Sequence, residues 1–219
     1  MFYRTLFYRN ASSAMVLDLD STLIYTVDDT NKAERSMIVD MYNADNNSVY
    51  KLRLGRDSML GVYRPYLTEF LTYCRQAFDK LIVYTAGTED YGAAIVSVIE
   101  KKTGIAFDEV YARKSCLVID DSLLHTEDTM RKPLELVLPH IDIRRMMIVD
   151  DKMCNFRFNP RNGILIPAFS PQSIEEAVSD NYLLQLMKWL NTVEVKTIDD
   201  YRLLNKDNIF DVDIAIDLY

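Results

Sequence analysis

Two aspartates, Asp18 and Asp20, close the apolar run Met15-Val16-Leu17 in the stretch SSAMVLDLDSTLIYT. Strand side chains alternate between faces, so residues two apart point the same way. Like charges side by side are costly unless a cation sits between them, so the pair reads as a site. A carboxylate can attack phosphorus and carry the phosphoryl group as an acyl phosphate. A second carboxylate beside it can protonate the leaving oxygen and then activate water. Phosphate oxygens and an attacking carboxylate repel each other. A hard cation relieves this, and Mg²⁺ takes a few carboxylates plus substrate oxygens. The acidic pair Asp150-Asp151 ends another apolar run, MMIVDD. Asp18 with one or both of Asp150 and Asp151 is the predicted cage for Mg²⁺, and Asp20 adds its backbone carbonyl.

A moving phosphoryl group also needs donors for its equatorial oxygens. Thr85, ending the run LIVYT, offers a hydroxyl and a backbone N–H. A lysine stabilises the charge best, and Lys132 is the first choice, ahead of Lys152 and Lys114. His125 and His140 read as surface or packing residues. Cys154 lies near the acidic pair but has no neighbouring histidine that would make it a nucleophile.

The elements that must position these residues alternate. Residues 14–19 read as a buried strand, and 36–42 with 48–54 as a hairpin around NADNN. Residues 64–78 show helical spacing, with Pro65 in the first turn and Thr68 as an early cap. Residues 80–87 form a second buried strand, and 89–104 a helix stopped by Gly104. Short strands and turns over 106–130 read as a small β insertion, followed by a short helix over 133–138. Residues 144–151 and 162–169 are the next strands. Residues 173–193 form an amphipathic helix whose start, Ser173 with Glu176 three residues on, has the pattern of a capping box. Strands alternating with helices predict an α/β fold: a three-layer, doubly wound parallel sheet whose strand ends carry the ligand site.

Composition sets the limits. A chain of 219 residues that is 49% hydrophobic can bury the core of a single domain. That domain is read over 1–219, with the β insertion at about 106–130 and an acidic C-terminal extension at about 194–219. A net charge of −8 makes a poor partner for a nucleic-acid backbone. Cys74, Cys116 and Cys154 show no CxxC spacing, and their odd number fits a reduced, intracellular protein. The N-terminus MFYRTLFYRN has no long apolar core, so neither a signal peptide nor a membrane span is predicted. Oligomeric state stays open; the aromatic N-terminus and the tail are where a homodimer surface would lie.

Four motifs in order carry a resemblance to the haloacid dehalogenase superfamily of phosphotransferases. DLDST matches its DxDxT signature, LIVYTAG its strand ending in threonine, and RKP with MMIVDD its third and fourth motifs. Arg64-Pro65 before a helix, YTA, and RKSC inside the β insertion resemble one branch: phosphatases of the phosphorylated C-terminal repeat domain of RNA polymerase II. The resemblance spans roughly residues 12–170. It implies Asp18 as nucleophile and Asp20 as general acid/base. Thr22 would support the loop and, with Thr85, Ala86 and Lys132, serve the phosphate. Asp18, Asp20, Asp150 and Asp151 would serve magnesium. Ser21 stands where the branch often has glutamate. Asp120-Asp121 and Glu127-Asp128 lie where the branch shapes its peptide groove.

The resemblance implies a Mg²⁺-dependent protein serine/threonine phosphatase acting on repeat-domain-like phosphopeptides. It also implies an intracellular location, nuclear, or cytoplasmic if the chain is viral. Two alternatives stay open: a phosphatase for a small molecule or a nucleic-acid end, and a binding module without activity. Asp20 favours hydrolysis, and intact Asp18, Asp20 and Asp150 speak against the binding module.

Overall fold

The sheet forms around Ala14–Leu17, a strand whose every residue is buried. A computed structural model describes residues 12–28, 30–119 and 130–211. In chain order its elements are β1 (Ala14–Leu17), β2 (Ile24–Val27), α1 (Lys32–Ala44), β3 (Val49–Leu54), β4 (Asp57–Tyr63), α2 (Leu67–Ala77), β5 (Lys80–Tyr84), α3 (Glu89–Thr103), β6 (Glu109–Tyr111), β7 (Leu117–Val118), β8 (Met130–Arg131), α4 (Leu134–Val137), β9 (Met146–Asp150), β10 (Gly163–Leu165), α5 (Ile174–Ser179) and α6 (Tyr182–Thr192). Five strands pair in the order β10-β9-β1-β5-β6, all parallel. Both faces are covered, so the strands read as unbroken apolar runs rather than alternating ones.

Alternate residues of the central strands feed two cores. Met15, Leu17, Leu81, Val83, Met147 and Val149 pack against α2, α3 and α6. Ala14, Val16, Ile82, Tyr84, Met146 and Ile148 pack the other way, against Leu134, Leu138 and Ile141. This is the three-layer α/β arrangement the alternation of elements predicts. Each fully buried Leu, Ile or Val is worth about 1.5–3 kcal/mol relative to exposure, so the strand that carries Asp18 is held firmly.

Several boundaries differ from those predicted. Residues 36–42 are helical, not a strand: they lie within α1, whose start is capped by Asn31 accepting from the Glu34 amide. Ile38 and Met41, three apart, are its buried face. The hairpin instead joins β3 to β4, with Leu54 opposite Asp57 and Gly55 at φ +59 in the turn. β2 adds to β4, making a three-stranded sheet. α2 begins after Pro65 and Tyr66, and its cap position is Tyr66 at φ 64 with no side-chain bond, so Thr68 does not cap it. α3 ends at Gly104, φ 72, as predicted. Within 106–130, β6 is not part of an insertion: it is the parallel edge of the main sheet. β7 and β8 pair as a short antiparallel ladder. The acidic residues 120, 121, 127 and 128, and His125, fall outside the described residues.

The helix predicted over 173–193 is two helices. Ser173 caps the first by accepting from the Glu176 amide. The chain breaks at Asp180 because that carboxylate is drawn inward to a buried arginine, Arg64. Beyond α6, Val195, Tyr201 and Ile209 are buried in the larger core, so apolar residues anchor this acidic segment. No helix of the described residues is long and apolar enough to cross a membrane.

Candidate active site

The carboxyl ends of β1, β5 and β9 meet at one edge of the parallel sheet, where such sheets place their ligands. Asp18 follows β1 directly, and its amide still bonds the Val149 carbonyl at 3.0 Å. The chain then turns sharply: the amides of Thr22, Leu23 and Ile24 all point at the Leu19 carbonyl, 2.8–3.3 Å away. Ser21 takes a left-handed conformation, φ 60, to make this turn. A non-glycine residue there stores local strain, which the buried neighbours Leu19, Leu23 and Ile24 hold in place.

Lys132 is the centre of the site. Its ammonium is fully buried between two carboxylates, 2.5 Å from Asp18 Oδ1 and 2.6 Å from Asp150 Oδ2. Its amide donates to the Asn155 carbonyl at 2.7 Å, which fixes the lysine's backbone. The other oxygen of Asp150 accepts from the Lys152 amide at 2.9 Å and from Asn155 Nδ2 at 2.8 Å. Asp151 completes the group: one oxygen each of Asp18, Asp150 and Asp151 lies within 4.8 Å of the others. Three carboxylates face one ammonium, so the cluster is short of positive charge. Burial pushes the Asp18 carboxyl up to about 8, with Lys132 opposing and Asp150 adding to the rise. Burial and then Asp150 raise Asp151 to about 6. Burial lowers the Lys132 ammonium, but Asp150 and Asp18 outweigh it and hold it protonated. Hard oxygen donors in a negative, buried cluster fit a divalent cation such as Mg²⁺. Each carboxylate oxygen has two lone pairs, so oxygens already bonded to Lys132 can still serve a metal.

Asp20 is set apart from that cluster. Its Oδ1 accepts from Tyr91 OH and, at 3.3 Å, from Thr26 Oγ1. Burial raises its carboxyl against these two bonds. Thr85, at the end of β5, is buried, and its hydroxyl accepts from the Gly87 amide at 2.9 Å. A cleft of about 330 Å³ is lined by Asp18, Asp20, Thr85, Ala86, Lys152 and Asn155, among others. Ser21 also lines it.

The structure thus brings Asp18, Asp20, Thr85, Ala86, Asp150 and Asp151 together with Lys132. Thr22 is fully buried, its hydroxyl 3.5 Å from Asp18 Oδ2, and it supports the turn after Asp18 from beneath. Lys114 does not reach the site; it is exposed and pairs with Glu89 at 3.7 Å. His140 is a surface residue beside Glu109. Residues with no assigned chemistry in the sequence complete the surroundings. Arg113, inside RKSC, lines the cleft and binds the 86–87 loop twice: its Nε donates to the Ala86 carbonyl and its amide to the Gly87 carbonyl, both at 2.9 Å. Arg64 is buried, donates to the Thr22 carbonyl at 3.0 Å and the Pro167 carbonyl at 2.7 Å, and pairs with Asp180. Its position before α2 was legible; its partner, more than a hundred residues on, was not.

An acidic cluster on the neighbouring ends of β1 and β9, with a lysine between and Thr85 ending β5, on a parallel α/β sheet, defines a haloacid dehalogenase-like fold. The chain belongs to the NLI interacting factor-like phosphatase family, whose model matches residues 13–202. It is 25% identical over 181 residues to the nuclear envelope morphology protein 1 of Schizosaccharomyces pombe, covering 82% of this chain and 33% of that one. It is 25% identical over 189 residues to the CTD small phosphatase-like protein 2 of Dictyostelium discoideum, covering 86% of this chain and 28% of that one. The chain thus spans about a third or less of these two relatives. A solved structure of the fission yeast RNA polymerase II CTD phosphatase Fcp1, bound to beryllium fluoride, superposes with TM-score 0.51 at 19% identity, covering 85% of this chain and 51% of that one.

Proposed function

We propose that the protein is an aspartate-based protein serine/threonine phosphatase. The observation that carries this reading is the buried Lys132 bridging Asp18 and Asp150, with Asp151 and the separately held Asp20 beside them. In the first half-reaction, Asp18 attacks phosphorus and the bond to the seryl or threonyl oxygen breaks. That oxygen takes the proton of the Asp20 carboxyl. In the second, a water attacks the phosphoaspartate and gives its proton to the Asp20 carboxylate. Inorganic phosphate leaves, and the Asp18 carboxylate and Asp20 acid are restored. The Thr85 hydroxyl, the Ala86 amide and Lys132 stabilise charge on the transferring group. Asp18, Asp150 and Asp151, with the Asp20 carbonyl, would hold a Mg²⁺ ion, which supplies positive charge beside the nucleophile and the phosphoryl oxygens.

A macromolecular substrate fits the openness of the site. The catalytic cleft shares Asp20, Ala86, Gly87 and Arg113 with a groove of about 800 Å³ between the β3–β4 turn and the start of α3. A phosphopeptide resembling the polymerase repeat domain is the proposed substrate, in keeping with the names of the relatives, and a nuclear or other intracellular location goes with it. The test is hydrolysis of a phosphoserine peptide panel and of p-nitrophenyl phosphate, with Mg²⁺ and with a chelator. Chelation and Asp18→Asn are each expected to reduce turnover by a factor of roughly 10⁴ or more. Turnover surviving Asp18→Asn would overturn the phosphoaspartate route, and preference for nucleotides would overturn the protein substrate.

A further inference from the structure

Asp20 is held by a chain of hydroxyl groups that the reaction itself does not call for. Tyr91 OH and Thr26 Oγ1 both meet its Oδ1. Thr26 Oγ1 is also 2.6 Å from Tyr50 OH and 2.8 Å from Tyr91 OH. These residues come from three separate elements, β2, β3 and α3; Thr26 and Tyr91 converge on one oxygen, and Tyr50 backs them through Thr26. When Tyr50 donates to Thr26, and Thr26 and Tyr91 both donate to Asp20, every hydroxyl proton has an acceptor.

Two glycines make the convergence possible. A Cβ on Gly61, which pairs with Tyr50 across the β3–β4 ladder, would lie 2.1 Å from Tyr50 Cζ. A Cβ on Gly87 would lie 2.6 Å from Tyr91 Cδ1. Both rings therefore occupy space that any other residue would close.

A carboxylate oxygen has two lone pairs, and two donors use both of them on Oδ1. Neither the Tyr91 nor the Thr26 hydroxyl is bonded to Oδ2, and Asp20 lines the catalytic cleft. We infer that Tyr91 and Thr26, backed by Tyr50, are positioning residues that reserve Asp20 Oδ2 as the oxygen giving and taking the proton. The inference rests on the phosphatase reading above. A loosened Asp20 still sits in the site, but its proton no longer meets the departing oxygen on line.

Leaving groups separate this from a structural role. A seryl alkoxide must be protonated to depart, whereas p-nitrophenolate departs without help. The value of kcat/KM reports the steps up to phosphoryl transfer to Asp18, so it isolates the acid. Because Thr26 and Tyr91 also line the proposed peptide groove, free O-phosphoserine is measured beside the phosphoserine peptide. Tyr91→Phe and Thr26→Val are each expected to lower kcat/KM about 10-fold for both of these alkyl phosphates. For p-nitrophenyl phosphate the change is expected to stay within about 2-fold. Thr26→Ser, which restores the hydroxyl, is expected to recover the peptide rate. An equal fall on alkyl and aryl phosphates, a fall on the peptide alone, no fall on any, or failure of Thr26→Ser to rescue overturns the inference while leaving the phosphatase standing. Should Tyr91→Phe not fold, the threonine pair decides alone. Wild-type turnover that is absent, or that survives Asp18→Asn, overturns both and is seen before any positioning variant is measured.

Discussion

A single buried ammonium decides the character of this site. Lys132 is fully enclosed, and its two partners, Asp18 and Asp150, are themselves buried. Removing one member of a buried ionic group leaves the rest uncompensated, which costs about 3–5 kcal/mol. Lys132→Met is therefore expected to lower stability by about that much, measured by urea unfolding, and to abolish turnover. The two effects differ in their response to metal. A divalent cation that binds the native cluster stabilises it by mass action, so Mg²⁺ is expected to restore part of the lost stability in Lys132→Met but none of the activity. An unfolding midpoint indifferent to Mg²⁺ in both proteins would refute a cation site at Asp18, Asp150 and Asp151.

Elements bring these residues to one edge, and a few side chains clamp the elements. Arg64 stands at the entry to α2 and its guanidinium spans three parts of the fold: the turn after β1 at Thr22, the segment after β10 at Pro167, and the α5–α6 junction at Asp180. Aromatic rings of Phe169 and Tyr182 lie 5.3 and 5.4 Å from it. Asp180→Ala strands the buried guanidinium and is expected to cost about 3–5 kcal/mol. A double change to apolar residues, Arg64→Met with Asp180→Leu, is expected to recover much of that stability yet still lower turnover, because the carbonyl of Thr22 loses its anchor. Equal stability loss in the single and double variants, by urea unfolding, would show that the pair is not the clamp. The same contact explains why the amphipathic pattern over 173–193 overran a helix boundary: apolar periodicity continues through Asp180, but a carboxylate drawn inward cannot remain on the helix surface.

Over the whole molecule, folding in acid depends on carboxylates away from the site. Asp79 is held below the usual range by the Ser13 amide, with some desolvation opposing, and the Ser13 hydroxyl also donates to it. Arg144 holds Asp142 down, and Arg202 holds Asp200 down. A carboxyl lowered in the fold contributes stability that is present above its unfolded value of about 3.9. That contribution is lost as pH falls through the lowered value. Asp79 is exposed and Asp142 and Asp200 are half-buried at the surface, so screening keeps each contribution to about 1 kcal/mol or less. Asp79→Asn is expected to be less stable at neutral pH and to lose less stability between about pH 5 and pH 2 than the wild type. Parallel stability curves for the two proteins over that window would contradict the assignment.

Sequence by itself determined the parallel α/β class and which strands end in chemistry. Buried strands in a covered sheet must be apolar throughout, so the breaks at Asp18, Thr85 and Asp150 stood out against MVL, LIVY and MMIV. The spacing of Asp18 and Asp20 reads as strand alternation, but β1 ends at Leu17, and a turn after it sends both to the one cleft while Asp20 bonds a different set of partners. Only the tertiary structure decided that Lys132 lies between two carboxylates, that residues 36–42 are helical, and that Thr26 and Tyr91 meet at Asp20 with Tyr50 behind Thr26. The reason is range. Periodicity and local propensity report neighbours along the chain, whereas the decisive contacts reach far beyond them: Tyr91 to Asp20 joins residues 71 apart and Lys132 to Asp18 residues 114 apart. Such contacts exist only once the packed layers bring strand ends and helix starts together, and no short stretch of chain encodes them alone.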